Sequence, residues 1–489
     1  MPDVAAERTG ALRRPTRWLT LAAASLLAAV VFGRTVVEND LFWHLAIGRY
    51  LETSGFPRTD PFGIGTEGFA WSPPEWLAEW VIFRAYELGG LGALSALHAA
   101  LVLLLGALVF LRAQRLAGPG GAAHALVAVA LAALPASVHL GIRPLLVGHV
   151  LSALVLLELA RDRRGPSLVP VLPLLFVLWA NLHPSWPLGV AWLALEVLGR
   201  LASGPLSRRF PGRFEALPVS RALLASLLLA PLAALLRPDG LEGFLYPFVH
   251  VIGLGDRMGE IIEWFPLSPT RPLHVFVVLL CALALALGVK RRAAPPDLLV
   301  ALASSYLLVR HQRFLPLALI GVAPLLALLP ALPSTEALRA RLASPSAARA
   351  LGLALALVAL LTWPRSSELA ASIDVLSPVG ATDALARVHP APRVFTTFED
   401  GGYVAWRLPG ARVFLDSRFD LYARAGVFDA YLALRSGGPV GPLLAQRLDA
   451  AMLPSPARDA HFEHVRAELV GLGWREVFAD ESAVLLVPP

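Results

Sequence analysis

Apolar residues along this chain fall in long unbroken runs, not in the alternation of half-buried strands. About eleven runs lie near 17–35, 90–111, 121–139, 144–160, 167–182, 187–202, 220–237, 271–289, 296–310, 313–333 and 348–364. Several approach the roughly 20 residues that cross a bilayer. The pattern predicts an α-helical polytopic membrane protein. The first run reads as a retained anchor, because no small-x-small cleavage site precedes Val36.

Basic residues cluster in every second connection. Arg8, Arg13, Arg14 and Arg17 precede the first run, and Arg112 and Arg115 follow the second. Arg161, Arg163 and Arg164 follow the fourth, and Arg200, Arg208, Arg209, Arg213 and Arg221 lie between the sixth and seventh. Lys290, Arg291 and Arg292 follow the eighth, and Arg339, Arg341 and Arg349 lie between the tenth and eleventh. Strict alternation puts all of these on one side, which the positive-inside rule makes the cytoplasm. Residues 1–16 are then a cytoplasmic segment and 17–364 a transmembrane domain whose first outer loop is 36–89. Residues 365–489 follow as a small α/β domain outside the membrane, periplasmic or extracellular.

Composition agrees with this reading. Of 489 residues, 56% are of the AVILMFWYC set and only 16% are charged; mean hydropathy is +0.63. An ordinary soluble enzyme carries about 25% charge. The values also exclude a disordered chain and a nucleic-acid binder, and make membrane lipid the surrounding partner. The single cysteine, Cys281, excludes an intramolecular disulfide and a Cys-based metal site. Much Ala, Arg and Pro with scarce Lys fits a GC-rich bacterial genome, hence a bacterial inner membrane.

The opposite set of connections carries acids, His, Trp and Asn. Glu38-Asn39-Asp40 follows the first run directly. Asp40 reads as the cap of a helix over Leu41–Leu51 whose apolar residues 41, 42, 45 and 47 form a stripe for the membrane interface. Glu38 and Asp40 point the same way if the segment is extended, and can bind a divalent cation such as Mg2+ or Mn2+, or take a proton from a hydroxyl. The plainer reading is a helix cap beside solvated acids. Asp60, in Pro57-Arg58-Thr59-Asp60-Pro61-Phe62, caps a turn or meets a ligand. Glu75 and Glu79 stand four apart among Trp71, Trp76 and Trp80, residues that anchor at an interface or stack on a sugar. Arg143 contacts a phosphate or snorkels to head groups. Asn181 and His183 make a turn or a ligand contact, and Glu263-Trp264 repeats the chemistry of Glu75-Trp76. Arg310-His311-Gln312-Arg313, joining two runs, is a ready anion site or a head-group contact.

After residue 365 short elements alternate: strands at 393–398, 412–416 and 450–453, helices at 402–407, 425–434 and 461–471, and a closing strand pair at 476–478 and 483–487. Glu399-Asp400-Gly401-Gly402 and Asp416-Ser417-Arg418-Phe419-Asp420 sit just after strands. Phosphate-loop and nucleophile-elbow motifs do not occur there, so this stretch reads as a lid or recognition module.

Together these residues resemble the GT-C superfamily of polytopic glycosyltransferases. The shared features are many spans, a carboxylate motif in the first outer loop, here Glu38-Asn39-Asp40, and a C-terminal domain outside the membrane. The chain is also similar to a group of bacterial GT-C-like membrane proteins through Asp40–Gly48, Pro57–Phe62, Glu75–Leu77, Asn181–His183 and Gly401–Arg418. The resemblance implies a polyprenyl-phosphate-linked sugar donor and a glycan or lipid acceptor in the envelope. It implies Asp40 as general base or acceptor-orienting carboxylate, assisted by Glu38, which can also hold a metal; His44 shares their motif. Arg143 with Arg310 or Arg313 would hold donor phosphate, and Asp60, Glu75, Asn181, His183 and Glu263 would line the substrate site. A lipid-linked glycan transporter or flippase, and a non-catalytic envelope-assembly protein, are the rival readings. Transporters set polar groups nearer the bilayer midplane.

Overall fold

The computed structural model describes residues 38–118, 121–136, 139–254, 257, 259, 261–330 and 365–489. The expected runs at 17–35 and 348–364, with the basic residues before 18 and between 339 and 349, lie outside these residues.

Among the described residues, eleven helices form the first part: α1 Asn39–Ser54, α2 Trp76–Ala117, α3 Ala122–Ala136, α4 Pro144–Asp162, α5 Leu172–Leu182, α6 Trp186–Arg209, α7 Arg221–Ala233, α8 Leu241–Leu254, α9 Pro272–Lys290, α10 Pro295–Arg310 and α11 Leu315–Leu326. Among the described residues, three of them, α2, α4 and α9, are long and apolar enough to cross a membrane. The expectation of about eleven full spans is therefore not confirmed among the described residues. Hydropathy counts apolar residues and not helix length. Prolines at the starts of α5, α10 and α11 confine those helices, α5 to 11 residues and α11 to 12. At 1.5 Å per residue they fall short of a hydrocarbon core of about 30 Å.

The Arg-rich end of the bundle is held by buried ion pairs. Asp297 Oδ1 accepts from Arg112 Nη2 at 3.0 Å and Asp297 Oδ2 from Arg163 Nη1 at 2.6 Å. Arg163 also grips Glu196 with both its Nε and Nη2, and Arg200 Nε reaches the same carboxylate at 2.7 Å. Three arginines counted above as loop charges thus tie α2, α4, α6 and α10 together. Each buried charge is tolerable because its partner is in contact.

The C-terminal part carries a five-stranded sheet in the order β2-β1-β3-β5-β4, with β1 Arg393–Phe395, β2 Arg412–Val413, β3 Ala450–Pro454, β4 Arg475–Ala479 and β5 Ala483–Val487. β1 runs parallel to β2 and β3, and β5 antiparallel to β3 and β4. β3 and β5 are buried throughout, consistent with apolar runs in central strands. The first loop extends this sheet: Ile64 N donates to Val413 O at 2.8 Å and Val413 N to Phe62 O at 2.9 Å. Trp43, Ile47, Phe62, Ile64 and Trp71 share one apolar core with Val394, Phe395, Leu415 and Tyr422.

α1 departs from the expected interfacial helix. All of Leu41 to Gly48 is buried, on every side of the helix. α2 covers one side, and the helix Gly401–Arg407 covers another. Two glycines permit this. A Cβ on Gly48 would stand 2.5 Å from Glu79 O, and one on Gly402 would stand 3.2 Å from Trp43 Cβ.

Candidate active site

The helix of α1 begins at Asn39 with Glu38 as its flanking residue, so Asp40 is not the cap. Its carboxylate points away from the backbone and into a cavity of about 1270 Å³. Asp40 Oδ1 accepts a 2.6 Å hydrogen bond from Ser417 Oγ. Asp40 Oδ2 lies 3.3 Å from Arg143 Nη1. That guanidinium also pairs with Glu38 through Nε and with Glu263 Oε1 at 3.0 Å. The two first-loop carboxylates thus converge as expected, but a guanidinium occupies the space between them.

The electrostatics separate the two acids. Burial pushes the Asp40 carboxyl up, but the Arg143 charge and the Ser417 hydrogen bond outweigh it and hold its pKa below the usual range. For Glu38, burial outweighs the attraction of Arg143, and its pKa is raised. Asp40 is therefore the more acidic member of the pair.

Behind Asp40 stands a second group. His44 Nδ1 lies 3.2 Å from Glu79 Oε1 and 3.9 Å from Glu75 Oε2. Glu75 Oε1 lies 3.0 Å from His183 Nε2. His44, Glu75, His183, Glu263 and Arg313 all line the cavity. Arg313 stacks on Trp264, with its Cζ 4.2 Å from the ring centroid, and has no ion-pair partner among the described residues. Leu145, Leu188, Phe248, Phe314 and Leu317 make the apolar part of the wall.

Three expected ligand contacts lie elsewhere. Asp60 is buried, with Oδ1 receiving Phe62 N at 3.1 Å and Arg418 Nη1 at 2.7 Å, and Oδ2 receiving Gly63 N at 2.9 Å and the Thr66 hydroxyl. It folds the loop and fastens it to the C-terminal part, so no lone pair is left for substrate. Asn181 accepts from Trp76 Nε1 at 2.7 Å and donates to Val177 O and Leu236 O, which anchors the start of α2 against α5. Arg310 is exposed at the end of α10 and does not line the cavity. Of the two arginines in that turn, Arg313 alone faces inward.

The sequence pattern placed Ser417 and Arg418 just after a strand and within the Gly401–Arg418 stretch of the resemblance, but assigned neither a role at the site. Arg418 is buried between Asp60 and Asp416, with its Cζ 4.7 Å from the centroid of Trp71.

No family model and no curated protein matches the chain by sequence. Solved structures match by shape. ArnT from Cupriavidus metallidurans, in the apo state, aligns with a TM-score of 0.53 at 16% identity, covering 94% of this chain and 95% of that one. The oligosaccharyltransferase of Archaeoglobus fulgidus, in the apo form, aligns with a TM-score of 0.50 at 14% identity, covering 90% of this chain and 70% of that one. The mostly helical bundle, its three long apolar helices among the described residues, the first loop and the C-terminal sheet together share the fold of these two solved structures.

Proposed function

We propose that this protein transfers a sugar from a polyprenyl-phosphate-linked donor to an envelope acceptor, on the outer face of a bacterial cytoplasmic membrane. The observation that carries the reading is one cavity with three compartments: an ionised Asp40, an Arg313 stacked on Trp264 with no ion-pair partner among the described residues, and an apolar wall of Leu145, Leu188, Phe314 and Leu317. A lipid-linked sugar has three parts to match: a sugar, a phosphate and a prenyl chain. The proteins with which the chain shares its fold include an oligosaccharyltransferase, which agrees with this chemistry.

In the proposed step an acceptor hydroxyl attacks the anomeric carbon. The new C–O bond forms as the bond from that carbon to the phosphate oxygen breaks. Asp40 takes the hydroxyl proton, and the electron pair leaves with the polyprenyl phosphate, whose charge Arg313 meets. Arg143 holds Asp40 in place and supplies positive potential; its three carboxylate contacts make it a positioning residue. Residues 365–489 form the outer lid, and the N-terminus lies in the cytoplasm.

The test is transfer in proteoliposomes charged with a panel of radiolabelled polyprenyl-phosphate sugars and an envelope acceptor fraction. Label moving to the acceptor with wild-type protein supports the reading. Transport of the intact lipid-linked sugar across the bilayer without transfer would replace it with a flippase.

A further inference from the structure

We propose that His44, Glu75 and Glu79 form a divalent-cation site in the cavity wall, distinct from the Glu38–Asp40 pair. One ligand atom from each lies within 4.8 Å of the other two. That spacing suits a single ion with nitrogen and oxygen ligands near 2.0–2.2 Å. An imidazole with two carboxylates suits Zn2+ or Mn2+ better than the all-oxygen shells of Ca2+ and Mg2+.

Three further observations support the site. Glu79 is completely buried, and its Oε2 has no hydrogen-bond partner. An unsatisfied carboxylate oxygen in the interior is costly unless a charge meets it. Secondly, Glu75 is oriented from outside the cluster. Ser185 N–H donates to His183 Nδ1 at 2.9 Å, which leaves the His183 proton on Nε2, 3.0 Å from Glu75 Oε1. Metal-binding carboxylates are held by such outer hydrogen bonds. Thirdly, the site opens in one direction only. His44 and Glu75 line the cavity whereas Glu79 does not. Three protein ligands on the wall side leave a coordination position facing the cavity, the arrangement of catalytic rather than structural sites.

The first-loop pair is a poor rival for the ion. Arg143 already contacts both Glu38 and Asp40, and its fixed positive charge repels a cation there.

Full-length, untagged protein is stripped with chelator in detergent, and its uptake of Zn2+ and of Mn2+ is measured by elemental analysis and calorimetric titration. No sugar donor is present, so this outcome and that of the transfer assay are separate. Stoichiometric uptake by wild type is expected. Glu79→Gln and Glu75→Gln should each weaken binding by roughly 10-fold or more, and Glu38→Gln should bind as wild type does. Glu75 is partly exposed, so Glu75→Gln decides the matter if Glu79→Gln fails to fold. Wild type without stoichiometric uptake would overturn the proposal. So would wild-type affinity in Glu75→Gln, or loss of binding in Glu38→Gln alone.

Discussion

Ser417 Oγ donates a 2.6 Å hydrogen bond to Asp40 Oδ1 across 377 residues of sequence. The proposed base is therefore set by the C-terminal part as much as by its own helix. Ser417→Ala removes a charge-assisted bond and one of the influences that lower the Asp40 pKa. Transfer should fall by roughly 10-fold, the equivalent of about 1.4 kcal/mol. With that influence gone the Asp40 pKa rises, so the acid limb of the pH–rate profile should move to higher pH. An unmoved limb would show that Ser417 does not act through Asp40.

Arg313 and Arg310 lie in the same turn and differ in what they face. Arg313→Gln should weaken donor binding by roughly 10- to 100-fold, the loss of a charge-assisted phosphate contact. Arg310→Gln should leave donor binding unchanged. Titration of polyprenyl phosphate into each purified variant makes the comparison.

Arg418 is buried between Asp60 and Asp416. Arg418→Ala leaves two buried carboxylates without their cation, and should cost about 3–5 kcal/mol of stability. Arg407, paired with Asp383 at an exposed site, is the control; Arg407→Ala should cost less than about 1 kcal/mol. Thermal unfolding of both in one detergent measures the difference.

Gly48 lets α1 lie against α2. A methyl group there meets Phe83 Cβ and Glu79 O. Gly48→Ala should destabilise by about 1–3 kcal/mol through overpacking, and should weaken Zn2+ binding because it pushes His44 away from Glu79. Unfolding and metal titration on the same sample check both effects.

The side on which the C-terminal part lies is open to direct measurement. The single cysteine, Cys281, is buried, so the wild type provides an almost silent background. Ser436 is exposed. Ser436→Cys should react with a membrane-impermeant maleimide added to intact cells whose outer barrier has been permeabilised. Labelling only after the cytoplasmic membrane is breached would reverse the proposed topology.

Local patterns in the sequence carried the class of the molecule and several of its parts. The apolar runs announced helices, and the alternation after residue 365 announced the sheet elements nearly in place. Asp40, Glu38, Arg143 and Arg313 were legible as site candidates because charged residues at the ends of apolar runs are few. Helix length was less legible, since prolines shorten α5, α10 and α11 without lowering hydropathy. Asp60 and Asn181 looked like ligand contacts, but their partners, Arg418 and Trp76, are distant in sequence. Burial of α1 on all sides could not be read either, because the helix Gly401–Arg407 that covers it lies hundreds of residues away.

Comparing Asp40→Asn with wild type in the proteoliposome transfer assay, with polyprenyl-phosphate binding measured on the same preparations, tests the central claim most directly. The account predicts that Asp40→Asn still binds polyprenyl phosphate and loses transfer by at least about 100-fold, the contribution of a positioned general base. Wild-type transfer rates in Asp40→Asn would contradict it.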